Sequence, residues 1–71
     1  MKEFYVGNNR LLVVNPKGAM RVLYTPFRVY DPTSKRWEYV QEVTRWGDDG
    51  LMYLIKGKLY PHSGFEIRIK F

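Results

Sequence analysis

"KLYPHSGFEIRIKF", residues 58–71, ends the chain and decides how the rest is read. Its second half alternates, with Phe65, Ile67, Ile69 and Phe71 pointing one way and Glu66, Arg68 and Lys70 the other. A period of two with apolar side chains on one side marks a strand with one buried and one wet face. Ahead of it, Pro61-His62-Ser63-Gly64 supplies a turn. Further upstream, Lys56-Gly57 fits a two-residue hairpin loop between "LMYLI" (51–55) and "KLYP" (58–61). That loop sets Leu54 opposite Leu59 and Tyr53 opposite Tyr60, both well-matched cross-strand pairs.

The same grammar runs toward the N-terminus. "RLLVV" (10–14) is a strand that stops at "NPKG", where Asn15 opens a type I turn, Pro16 presets φ and Gly18 closes it. "MRVLY" (20–24) returns antiparallel with Met20, Val22 and Tyr24 on one face. "TPFRVY" (25–30) continues past Pro26, which suits a bend or an edge. "DPTSKR" (31–36) is a polar loop. In "WEYVQEVTRW" (37–46) the apolar phase set by Trp37 and Tyr39 shifts at Val40 and Val43, which predicts a bulge or sharp bend near 40–42. Gly7-Asn8-Asn9 and Asp48-Asp49-Gly50 read as turns, because Asn, Asp and Gly accept the backbone angles that turns require. No window shows apolar residues at helical spacing over three turns.

Residues 1–71 therefore read as one all-β domain of five to six short antiparallel strands. A flat sheet would leave one face wet and two edges open, so a small, highly bent barrel is the expected arrangement.

The C-terminal half, residues 37–71, resembles an SH3-type barrel. In that family a strand runs into a bulky residue and proline, then a single 3₁₀ turn, then the closing strand. Leu59-Tyr60-Pro61, His62-Ser63-Gly64 and Phe65-Glu66-Ile67 occupy those places. The resemblance implies an SH3-like barrel fold. Two departures stand beside it: the turn is one residue longer than the family's, and no acidic first loop is present to receive basic proline-rich peptides.

Composition narrows the chemistry. A 71-residue domain buries only about 60% of the surface its unfolded chain exposes. There is no cysteine, so disulfides and thiolate metal sites are excluded, and a reducing compartment suits the chain. Hydrophobic residues at 45% are too many for a disordered chain. The N-terminus lacks the apolar core of a signal peptide and no apolar run approaches the ~18 residues of a spanning helix, so the expected location is the cytoplasm, with no membrane contact.

No residue constellation points to catalysis, and no enzymatic activity and no cofactor are expected. His62 is the only histidine. Its neighbour Ser63 adjoins it in sequence, which does not make a nucleophile–base pair, so His62 reads as a turn residue whose loss leaves folding and binding nearly intact. Asp48-Asp49 lacks a third ligand at metal-loop spacing.

Charge and aromatics supply the functional clue. The net charge is +5, from 12 Lys+Arg against 7 Asp+Glu, and favours an anionic partner. Six Tyr, four Phe and two Trp exceed what so small a core hides. Exposed aromatics beside cations stack on bases or on protein partners. Arg36 adjoins Trp37, Arg45 adjoins Trp46, Lys56 and Lys58 flank the last hairpin turn, and Arg68 and Lys70 share the wet face of the closing stretch. These eight residues form the expected nucleic-acid-binding set. The expected function is a small binding module for nucleic acid or a ribonucleoprotein. The other reading is a protein–protein interaction module, or a small structural subunit of a larger assembly such as a phage or ribosomal particle.

Overall fold

The computed structural model describes residues 3–47 and 50–71, so the turn expected at Asp48-Asp49 lies outside the described residues. Among the described residues the chain is all β with no α-helix, and has eight strands rather than five or six. They are β1 (Glu3–Gly7), β2 (Arg10–Val14), β3 (Met20–Tyr24), β4 (Phe27–Asp31), β5 (Arg36–Val40), β6 (Glu42–Trp46), β7 (Gly50–Ile55) and β8 (Lys58–Pro61), followed by a 3₁₀ turn over His62–Gly64. The difference in number has two sources. Glu3–Gly7 is an additional strand, and the two bends divide long strands into halves. Among the described residues no helix is long and apolar enough to cross a membrane.

Pairing is antiparallel throughout and forms three sheets, β1-β2-β3, β4-β5 and β6-β7-β8. Among the described residues, no ladder runs from sheet to sheet to close a barrel. The sheets are instead joined by corners. The chain passes from β3 to β4 through Thr25-Pro26, a cis peptide bond, and from β5 to β6 through Gln41. Both lie where Pro26 and the phase shift at 40–42 place a bend. Gln41 holds its corner by donating its backbone N–H to the Leu54 carbonyl at 2.8 Å.

Turn chemistry sets each register. Lys56 (φ 52°) and Gly57 (φ 78°) both take positive φ, the pattern of a type I′ turn, and pair Leu54 with Leu59 and Tyr53 with Tyr60. Asn15 caps the β2–β3 loop: its Oδ1 accepts from the backbone of Lys17 and Ala19 at 3.0 and 2.8 Å, while Gly18 N–H donates to its carbonyl. Asp31 organises the β4–β5 loop in the same way, its carboxylate accepting from the Thr33 and Ser34 backbone and the Ser34 hydroxyl.

These bonds, the Ser34 hydroxyl foremost, hold the Asp31 carboxyl below its ordinary value of 3.8. A depressed folded-state pKa contributes stability above the unfolded value and loses it as pH falls through the folded one. The melting-temperature gap between wild type and Asp31→Ala is therefore expected to be full at neutral pH and to narrow as pH drops below 3.8. A gap that stays constant down that range would mean the carboxylate does not hold this loop.

The core is a single cluster of Leu11, Val13, Phe27, Val29, Val40, Leu51, Tyr53, Ile55 and Ile67. Phe4, Val6, Leu23, Val43, Phe65 and Ile69 pack around it. All three sheets contribute, each through alternate residues. The C-terminal stretch obeys the alternation in burial but not in bonding. Ile67 is buried, Phe65 and Ile69 are half-buried, and Phe71 is 44% exposed. Among the described residues its strand pairing is the antiparallel bridge of Glu66 with Tyr30, and the secondary structure there assigns no closing strand over 65–71. The alternation reports which side chains meet the core, and a tail can pack that way outside a strand.

Candidate nucleic-acid interface

The Pro32–Lys35 loop pairs Asp31 with Arg36, Tyr30 with Trp37 and Arg28 with Tyr39. Since neighbours along a strand face opposite ways, Arg28, Tyr30, Trp37 and Tyr39 share the outer face of the second sheet. Val29, Phe27 and Val40 take the inner one and are buried. On the outer face the Arg28 guanidinium lies 5.1 Å from the Trp37 ring centroid. Tyr30 meets Trp37 edge-on at 5.4 Å. The tail, held beside β4 by the Tyr30–Glu66 bridge, adds Arg68, whose guanidinium sits 3.8 Å from the Tyr30 centroid and 5.9 Å from that of Trp37. Cation–π attraction holds such guanidinium groups in place without neutralising them. Glu66 takes one ion pair with Arg68 at 3.1 Å. Trp37 remains 43% exposed and Tyr39 61% exposed, so both side chains are accessible from solvent.

The eight residues of the sequence-based set are distributed over several surfaces. Trp37 and Arg68 come together in the cluster just described. Arg36, although adjacent to Trp37, projects from the other face of β5, opposite Asp31. Trp37 instead draws its cations from Arg28, on the neighbouring strand, and from the tail. Arg45 and Trp46 are likewise split: Trp46 is exposed on β6, while the Arg45 guanidinium donates to the Phe4 carbonyl at 3.2 Å. Lys56 sits in the β7–β8 turn, 3.6 Å from the Glu38 carboxylate, and Lys58 opens β8. Lys70 is exposed on the tail, its carbonyl bound by the Arg21 guanidinium. The residues missing from the sequence-based set are Arg28, Tyr30 and Tyr39. Counting outward from the Asp31–Arg36 pair finds all three.

His62 is more than a turn residue. Its ring packs edge-on against Phe4 at 5.3 Å and Tyr53 at 6.4 Å. It lines a cleft of about 290 Å³ with Phe65, Glu66 and Arg68. Burial pushes the Tyr53 phenol well above its ordinary value, so it stays protonated. Among the described residues no group of His, Asp and Glu has the arrangement of a metal site. No family model matches the chain, and no curated protein or solved structure matches it.

Proposed function

We propose that this chain is a non-enzymatic binding module that contacts nucleic acid, free or within a ribonucleoprotein, through the outer face of β4–β5 and the adjoining tail. The observation that carries the reading is the Arg28–Trp37–Tyr30–Arg68 cluster, in which two guanidinium groups flank a pair of edge-on rings on one surface. Aromatic rings take unstacked bases and guanidinium groups take phosphates, the division of labour that single strands require. The net charge of +5 draws the same class of ligand. We read the three cornered sheets as an SH3-like barrel. The strands bent at Pro26 and Gln41, and the Pro61–Gly64 turn that leads to the tail, support that reading. A cytoplasmic location goes with this proposal.

A salt titration tests it. Binding to single-stranded RNA, single-stranded DNA and duplex DNA is measured in parallel. Log K against log salt should fall with a slope of about −0.7 per phosphate contacted on single strands. Single strands should bind more tightly than the duplex, whose base faces are hidden. No binding to any of the three at about 50 mM salt, where counterion release is still large, sinks the proposal.

The second reading, a protein-interaction module or a small structural subunit of a larger assembly, rests on a different surface. Tyr5, Met20, Val22 and Tyr24 are all 40% or more exposed on the outer face of the first sheet. Contiguous apolar surface of that kind marks interaction sites.

A further inference from the structure

The first sheet has an outer face that is largely apolar, with Glu3 and Arg10 as its charged members. Its rows are Tyr5–Leu12–Val22 and Glu3–Val14–Met20, with Tyr24 beside Arg10. Leu12 and Val14 are half-buried, whereas Met20 is 66% and Tyr24 62% exposed. The most exposed residues thus line β3, one of the two edges of its sheet.

The backbone of β3 points the same way. Asn15 N–H donates to the Ala19 carbonyl and Thr25 N–H to the Asn9 carbonyl. The alternation of antiparallel bonds then makes Arg21 and Leu23 the residues that exchange bonds with β2. Met20, Val22 and Tyr24 turn their N–H and C=O groups to the open side. Edge strands are normally guarded by charge, proline or a covering group. Among the other edge strands, β4 is bridged by Glu66 at Tyr30, and β8 and β1 fit that rule. β8 carries Lys58 and Pro61, and on β1 the Phe4 carbonyl is taken by Arg45. On β3 the single charge is Arg21, on the inner face, and its guanidinium is engaged with the Lys70 carbonyl.

We propose that β3 pairs with β3 of a second copy of this chain, antiparallel about a two-fold axis at Val22, to give a six-stranded sheet. The occupant follows from self-complementarity. An antiparallel pairing centred on Val22 sets Val22 against Val22 and Met20 against Tyr24 twice. All three positions have free backbone groups, so each pair exchanges bonds. Met20 against Tyr24 is a sulfur–aromatic contact. On the inner face Arg21 meets Leu23, so no like charges oppose one another. Pro26, which lacks an N–H, ends the pairing after the corner is reached. The apolar outer faces of the two copies become continuous. The proposal is independent of the nucleic-acid reading, since β4, β5 and the Arg68 cluster lie outside the paired edge.

Light scattering after size exclusion and chemical crosslinking test it together. Wild type should run at twice the 8.5 kDa chain mass, with little change between low and high salt. Val22→Lys places two ammonium groups face to face. It should raise the dimer dissociation constant by more than about tenfold while leaving the circular dichroism spectrum unchanged. Val22→Cys keeps the surface apolar and adds the chain's only thiol, so mild oxidation should give one dimer band. A wild type that is monomeric at every concentration tested, with no crosslink from Val22→Cys, overturns the proposal. A dimer that survives Val22→Lys unchanged, or one that forms only with a different protein strand, overturns it equally.

Discussion

Leu11→Ala is expected to lower the unfolding free energy by about 2–5 kcal/mol. Leu11 has no exposed surface and stands on β2, the central strand of its sheet, inside the row Val6–Leu11–Leu23. The sheets around it are held by corners and tight turns, so the site cannot collapse freely onto a smaller side chain, and the residual cavity adds to the lost transfer free energy. A chain of 71 residues has roughly 4–11 kcal/mol of stability, so this one substitution removes a large share of it. Urea denaturation is the measurement. A shift in midpoint at unchanged slope reports stability itself. Ile67→Ala provides the comparison. It is the buried residue of the C-terminal tail, and it should cost nearly as much if side-chain burial is what holds the tail. A loss below about 1 kcal/mol for Leu11→Ala would show that the core assignment is wrong.

Trp37→Ala is expected to weaken binding to single-stranded nucleic acid by about 5- to 150-fold, the equivalent of about 1–3 kcal/mol for one base–aromatic stack. Folding should be nearly unaffected, because the indole is 43% exposed and lies on the outer face. The comparison is Trp46→Ala. Trp46 is as exposed, at 53%, but stands opposite Gly50 in the third sheet, away from the Arg28–Arg68 cluster. Its loss should change affinity little. Arg68→Lys should fall between the two, since an ammonium keeps the charge but cannot stack flat on Tyr30. Equal losses at Trp37 and Trp46, or none at Trp37, would remove the β4–β5 face from consideration.

Local chemistry made much of the fold legible. Lys56-Gly57 named its hairpin and register, since few dipeptides accept two successive residues at positive φ. Pro26 and the apolar phase shift at Val40 named the two corners. Glu3–Gly7 was harder to see, because in five residues only Phe4 and Val6 reach the core, and they do so partially. The face of β3 was ambiguous for a related reason. Met20, Val22 and Tyr24 outnumber Leu23 as apolar residues, yet Leu23 is the one that packs inward. Burial was decided by the strand beside it, where Leu11 and Val13 already point to the core. The candidate site was legible in kind but not in membership. Arg-Trp neighbours along a strand separate to opposite faces, and the cations that meet Trp37 come from positions fixed only by the β4–β5 register and by the path of the tail.

The corners at Pro26 and Gln41 carry one more consequence. Residues 20–31 run through two sheets without a loop between them, and residues 36–46 do the same. Neither junction has spare length, so no sheet can peel away without dragging the next. Opening should be all-or-none, with amide protons deep in each of the three sheets exchanging at similar rates. Extra residues would be tolerated in the loops at Pro16–Gly18 and Pro32–Lys35, where the chain merely reverses. An insertion at Gln41 would disengage two layers at once. The places where a label or a graft can be added are set by where the chain turns back, and barred where it turns a corner.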